Sequence, residues 1–497
     1  YAWLRVLAGQ SSHVMAVGDD DQSIYGWRGA KIENIHRFSQ DFAPVETVRL
    51  EQNYRSTQTI LEAANGLIEK NADRLGKSLW SSGPEGEQIK VYSGFNDLDE
   101  ARFMVERIEQ WLEQGGSADE AAILYRSNAQ SRVIEEALLR AKVPYQIYGG
   151  QRFFERAEIK NALGYMRLLE ERHTDTAFER VVNTPPRGIG DKTLETVRQL
   201  ARARGVSMWQ AAKEGISDGE LTGRAQTALQ GFIALINDLA EATAAMELHE
   251  LAEHCIEVSG LMVYHSQERG ERGMARKENL EELVAACRQF SGETVMPVLD
   301  SDRAEMSILQ EFLDQVALDA GDRQAAQGPS VQMMTLHSAK GLEFPLVFLG
   351  GMEEGLFPHR MSADEPGRME EERRLAYVGI TRAMRELYLT YAETRRLHGQ
   401  DNYNRPSRFL LEIPQHLICE VRIKGSVQRP MSSLQGLYQD DPGDTGLRMG
   451  QRVLHGKYGE GVVLQFEGTS DRAKVEVNFS EGSKWLMVAY ANLQALD

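Results

Sequence analysis

The strongest constraint in this sequence is an alternation of short apolar runs with amphipathic helical stretches, broken once and then resumed. The spacing predicts strands over 89–93, 121–125 and 143–148, separated by helices over 97–114 and 128–141. Met104, Ile108, Trp111 and Leu112 fall on one face of the first helix, and Val133, Ile134, Ala137 and Leu138 on one face of the second. Such alternation means a parallel sheet covered by helices on both faces, because parallel neighbours need a crossover connection. Between about 149 and 321 the strand signals vanish and amphipathic helices dominate, for example over 280–290 and 306–318. The string NTPPRGIG at 183–190 punctuates them, and 267–279 and 319–329 read as charge-rich loops. Strands over 330–336, 345–350 and 387–391, with a helix over 370–383, then restore the alternation. A sheet interrupted by a helical insertion and later completed accounts for this order.

At 497 residues the chain holds about three domains. Its net charge of -18 excludes coating nucleic acid through overall charge, while leaving room for a locally basic groove. The three cysteines are widely spaced and form no CxxC pair, which argues against a disulfide framework or zinc site and for a reducing cytoplasm. No apolar run approaches the ~18 residues of a membrane helix. The chain opens at Tyr1 inside a helical pattern (Trp3, Leu4, Leu7), which reads as an N-terminal truncation. From about 421 to 449 the composition turns to Gly, Ser, Pro, Asp and Gln, and a flexible linker is expected over 416–448. Short strands over 452–455, 461–466, 474–479 and 484–488 follow between glycine-rich turns, and a small β-barrel of SH3 or Tudor type is expected.

Chemistry-bearing residues collect in four separated strings. The first, VGDDDQSIYGWRGA at 17–30, follows the apolar run 14–17, read as a buried parallel strand ending in a turn, where α/β sheets put ligands. It offers an amide (Gln22), two aromatics (Tyr25, Trp27) and a guanidinium (Arg28). A second strand is expected over 45–50, followed by EQNYRS at 51–56 and a helix over 56–70. The others are TLHSAKGLEF at 335–344 and AYVGITRA at 376–383. Singly, each has a plain explanation: Arg55 as a surface charge at a helix start, His337 as a core histidine, Arg382 as one exposed arginine among several. Gly76-Lys77-Ser78 has the tail of a phosphate-binding P-loop, but Asn71 stands where its first glycine belongs and no strand precedes it.

Together, in this order and wording, the four strings resemble motifs III, IV, V and VI of superfamily 1 helicases of the UvrD/Rep/PcrA type. The resemblance implies a RecA-like parallel-sheet lobe of P-loop NTPase type with a large all-helical insertion and a Tudor-like barrel. It divides the chain into the end of a first RecA-like lobe (1–51), a second lobe (52–148 with 325–415), a helical insertion that grips duplex DNA (149–324), the linker (416–448) and the barrel (449–497). It places Arg55 and Arg382 on the γ-phosphate of ATP with Gln22 sensing it, Tyr54 on adenine and Glu343 near the ribose; arginines in such roles are worth ~10³–10⁵ in rate. It makes Trp27 a base platform beside Tyr25 and Arg28, and makes Arg126, Asn128, Thr335 and His337 contacts to single-stranded DNA. In the insertion, Arg187, Gly188 and Gly190 would meet duplex phosphates. His398 stands where relatives carry a junction-wedging tyrosine.

The P-loop and the acids that bind Mg2+ would lie before Tyr1, so this chain is expected not to hydrolyse ATP alone. The function implied is ATP-driven 3′→5′ translocation on single-stranded DNA, unwinding single/double-strand junctions in DNA repair and replication, in a nucleoid-associated cytoplasmic protein. Mismatch- and excision-repair proteins, and RNA polymerase through the barrel, are the implied partners. The alternative is a non-catalytic module that binds DNA and partner proteins.

Overall fold

The computed structural model describes residues 1–9, 13–72, 74–268, 270–290, 307–321, 328–363, 367–397, 400–421, 452–456, 458–467, 474–479, 482–487, 491 and 493–496. Strands β1 (Ile89–Gly94), β2 (Ala121–Tyr125), β3 (Tyr145–Ile147), β4 (Val331–Thr335), β5 (Phe344–Leu349) and β6 (Ala383–Ala392) belong to one sheet. β7 (Thr394–Leu397) and β8 (Gln400–Tyr403) make an antiparallel hairpin, and β9 (Ile418–Glu420) returns to the sheet, whose order is β3-β4-β2-β5-β6-β1-β9. Every pairing in it is parallel. β2 is buried along its whole length and β5 nearly so, as continuous apolar runs in a parallel sheet should be.

Alternation sends Ala122, Leu124, Met334 and Val347 to one face, packed with the helices Gln58–Ile68 and Arg368–Ile380. Ile123, Met333 and Phe348 go to the other, packed with Asp97–Glu113 and Ser131–Arg140. β3 and β4 are neighbours in the sheet, yet the helices from Ala157–Glu170 to Ile308–Gly321 lie between them in sequence. Those helices have their own core, in which the Phe232 ring meets Phe178 edge-on with centroids 5.6 Å apart. Strands β10 (Arg452–His455), β11 (Gly459–Glu467), β12 (Lys474–Phe479), β13 (Gly482–Met487) and β14 (Gln494–Leu496) form a separate antiparallel sheet over Val453, Val463, Val475 and Val477. Among the described residues no helix is long and apolar enough to cross a membrane.

Several expectations need correction. Residues 14–17 and 45–50 are not strands: Met15 is 89% and Leu50 80% exposed. Both have the apolar pattern, but no described strand lies beside them to complete a ladder, and an unpaired strand leaves its backbone groups to water. The linker is expected from 416, but β9 pairs with β1 through 420; residues 422–451 lie outside the described ones. Residues 267–279 are not a loop, since the helix Glu271–Gln289 runs through them. Polar groups of this helix dock it: Glu278 bonds Ser127, Glu282 takes Arg132 Nε at 2.6 Å, and Asn279 sits between Arg156 at 2.9 Å and Glu158 at 2.6 Å. A polar pattern that reads as solvent-facing is here a polar interface.

The hairpin β7–β8 springs from a buried charge cluster. Arg395 lies between Glu100 and Glu353, bonding Glu353 Oε1 at 2.8 Å, while Glu100 also accepts from Thr390 Oγ1 at 2.6 Å. Removing the cation would leave two carboxylates in apolar surroundings. Arg395→Leu should therefore lower stability by about 3–5 kcal/mol in urea unfolding. A loss below about 1 kcal/mol would mean that water reaches the cluster.

Candidate nucleotide cleft and strand track

The loop 17–30 is moored to the sheet lobe. Ile24 is fully buried in the cluster that contains Leu375, Ala376 and Tyr377. Asp19 opens the turn Asp20–Gln22, accepting from Asp21 N–H at 3.1 Å and from Gln22 Nε2 at 2.6 Å. Asp21 receives both arms of Arg74 at 2.7 Å, Asp20 accepts from the Leu75 N–H at 2.7 Å, and Lys77 pairs with Asp19. Oxygens of these three aspartates come within 4.8 Å of one another, but Arg74 and Lys77 already pair with two of them and the Leu75 N–H takes the third, which is a poor fit to a magnesium site. Lys77, the lysine of the P-loop-like string, thus serves an aspartate.

The loop between β4 and β5 meets everything else. The carbonyl of His337 accepts from Tyr25 Oη at 3.2 Å. Lys340 Nζ donates to the Gln22 carbonyl at 2.7 Å and lies 5.4 Å from the centre of the Tyr25 ring. The Leu342 carbonyl accepts from Arg382 at 2.9 Å, and Glu343 holds Arg55 Nε at 2.5 Å. Residues 337–343 therefore touch Tyr25, Gln22, Arg382 and Arg55 in turn. Sequence reading missed Lys340, Arg74 and Glu372; Lys340 sits inside the 335–344 string, whereas the other two become visible only through their partners.

On the side that the motif resemblance assigns to nucleotide, Arg382 is buried, and its guanidinium donates to three neutral oxygens: Val378 O at 3.0 Å, Leu342 O at 2.9 Å and Thr381 Oγ1 at 3.0 Å. Among the described residues no carboxylate comes within ion-pair distance of it. Burial, then the neighbouring Arg55 cation, pushes its pKa down to about 10, and Arg55's influence exceeds that of either Glu343 or Asp19. Arg382 thus stays charged at neutral pH beside a second cation, the arrangement a polyanion would relieve. Tyr54 is 83% exposed, with its hydroxyl donating to Gln52 Oε1 at 2.9 Å.

On the other side the ends of β2 and β4 carry Arg126, Asn128, Thr335 and His337. Arg126 is forked onto buried Glu372, with Nη2 at 2.8 Å from Oε1. The Asn128 carbonyl accepts from Arg156 at 2.8 Å, and Thr335 Oγ1 pairs with Ser338 Oγ at 3.0 Å. The Arg28 guanidinium lies 5.5 Å from the Tyr25 ring centre. Trp27 contributes its backbone to the turn Gly26–Arg28; its side chain, and His398 entirely, lie outside the described residues.

The 183–190 loop stands apart, in the insertion. Arg187 is turned inward, donating to the carbonyls of Val181 at 3.2 Å, Pro185 at 3.0 Å and Ser259 at 2.9 Å. It shapes the loop, while Gly188, in the left-handed region at φ 81°, and Gly190 are exposed at the start of the helix Asp191–Arg204.

Burial, and secondarily Arg126, hold His337 at a pKa of about 4, so its ring is neutral at physiological pH. Folding lowers this pKa below the unfolded value of roughly 6.5, so the unfolded chain binds the proton more tightly. The stability this histidine contributes is complete above that value and is lost as pH falls toward 4. An NMR titration should give the His337 ring a midpoint of about 4; a midpoint at the unfolded value would mean that the ring is solvated.

Comparison with known proteins bears on the same segments. Residues 48–394 match the UvrD-like helicase C-terminal domain, 1–43 the UvrD/REP helicase N-terminal domain, and 449–494 the PcrA/UvrD tudor domain. The chain is 56% identical to DNA helicase II of Escherichia coli, covering 100% of this chain and 68% of that protein. It is 52% identical to DNA helicase II of Haemophilus influenzae over 99% of this chain and 67% of the relative. It is 36% identical to the ATP-dependent DNA helicase PcrA of Staphylococcus aureus over 99% and 68%.

Proposed function

Since this chain belongs to the UvrD-like helicase family, whose members are ATP-dependent helicases, we propose that it forms the second motor lobe, duplex-gripping insertion and Tudor-like barrel of a 3′→5′ DNA helicase. ATP is hydrolysed beside Arg55 and Arg382, which neutralise charge developing on the γ-phosphate, while Gln22 senses that phosphate. Glu343 orients Arg55 and reaches the ribose, and the open face of Tyr54 receives adenine. Single-stranded DNA runs past Tyr25, Trp27, Arg28, Arg126, Asn128, Thr335 and His337, with stacking supplying sequence-independent grip. A phosphate must then share Arg126 with Glu372. The amides of Gly188 and Gly190 approach duplex phosphates, and Arg187 holds that loop in shape.

One observation carries this reading. The nine-residue segment 335–343 holds strand-side residues at one end and, at the other, bonds both arginines of the nucleotide side. A change at the γ-phosphate has only this loop to cross before it meets DNA.

The domain division is the one expected from the motifs, except that the second lobe extends through β9 to residue 420, with 1–51 completing a first lobe. This sequence contains no GxxxxGK[ST] string, so the phosphate cradle and the Mg2+-binding acids are assigned to a preceding segment and the chain alone is inactive toward ATP. Junction unwinding in repair, a nucleoid-associated cytoplasmic setting, and docking of repair proteins or RNA polymerase on the barrel belong to the same proposal.

In the intact helicase, Arg382→Ala should cut DNA-stimulated ATP turnover by ~10³ or more while single-strand affinity changes little. Equal loss of both in a paired ATPase and binding assay would remove Arg382 from the nucleotide side. Trp27→Ala should do the reverse, weakening oligonucleotide binding first. Robust ATP hydrolysis by the present chain would refute its proposed inactivity.

A further inference from the structure

We propose that the turn after β3 extends the single-strand track, Tyr148 acting as a further base platform and the amides of Gly149 and Gly150 as contacts to the sugar–phosphate backbone. The assignment rests on the DNA-binding reading above and adds a subsite to it.

The sheet order β3-β4-β2 sets the argument. All three strands are parallel, so their C-terminal ends lie side by side, successive ones ~4.8 Å apart. The ends of β2 and β4 carry the strand-side residues already named, and the end of β3 is next in line. Its turn contacts theirs: a Cβ on Gly149 would sit 3.8 Å from Ser338 Oγ, the hydroxyl paired with Thr335. The Tyr148 N–H donates to the Met333 carbonyl at 2.8 Å, carrying the ladder one residue past β3. By strand alternation Tyr148 then lies opposite to Tyr145 and Ile147, on the face of Met334, the face against which Tyr25 also packs.

Three features of this turn suit a single strand. Tyr148 is 46% exposed, and among the described residues its ring meets no aromatic or cation and its hydroxyl has no partner. The amides of Gly149 and Gly150 likewise have no acceptor there, and both residues are exposed. Gly149 adopts φ 71°, which exposes its N–H at a position where a side chain would be strained. One exposed tyrosine on a surface is ordinary. A tyrosine followed by two open amides, one strand away from Thr335, combines a stacking face with backbone donors, the pairing that binds single strands without reading sequence.

The test uses this chain and fluorescein-labelled oligothymidylates of about 4 to about 16 nucleotides, followed by anisotropy at one fixed salt concentration. Tyr148→Ala should weaken binding of the longer oligomers by about tenfold and leave the shortest, which end before this subsite, unchanged. Tyr148→Trp should restore or exceed the original affinity. Unchanged affinity at every length would overturn the proposal, as would uniform weakening at every length, the mark of a general structural effect. If the unaltered chain bound no oligomer of any length, the DNA-binding reading itself would fail and this subsite with it.

Discussion

The structure depends on a short loop that serves two masters. Residues 335–343 leave β4 and enter β5, so both ends are pinned by the two strands that flank the fully buried β2. Between those pins the loop accepts a hydrogen bond from Tyr25, donates one to the loop of Gln22, accepts one from Arg382 and ion-pairs with Arg55. None of these contacts is strong in isolation. Their weight comes from the pinned ends, because a loop held at both sides cannot satisfy one partner while drifting away from another. Tyr25 and the two arginines are linked through this one loop, with no longer chain of residues between them.

Electrostatics makes the same loop asymmetric. Arg382 is buried against neutral oxygens and repelled by Arg55, an influence larger than the relief from Tyr377, Glu343 or Asp19 taken singly. Arg126, by contrast, is fully answered by Glu372. One side is thus poised for an anion and the other already satisfied. Arg126 and Arg382 both meet the segment 368–382, since Glu372 lies on the helix Arg368–Ile380 that leads into Arg382.

Much of this was legible in the sequence, and the parts that were not share a cause. The parallel sheet could be read because β2 and β5 are unbroken apolar runs and the helices between strands are amphipathic. The motif strings likewise lay in view, and the loop 335–343 joins residues that had been singled out separately. What failed was polar or short. Glu271–Gln289 reads as solvent-facing because its charges, Glu278 and Glu282, face other polar groups. β9 is three residues long and gains its identity only from β1. Residues 14–17 and 45–50 failed in the opposite direction, having the pattern of strands without a neighbour to pair with among the described residues. Periodicity reports the face a segment wants to bury, and it is silent about whether a partner is there.

The adjacency of β3 and β4 has a geometric consequence. Two parallel neighbours can be joined only by a connection that leaves one end of the sheet and re-enters at the other. In most such folds a single helix makes that trip. Here the trip has grown into a domain with its own core, yet its departure point is still fixed at the carboxyl edge of β3. Whatever a crossover enlarges into must therefore begin at the edge where parallel sheets hold their ligands. The insertion did not have to find the carboxyl edge of the sheet; topology delivered it there, with its own core already separate from the sheet's.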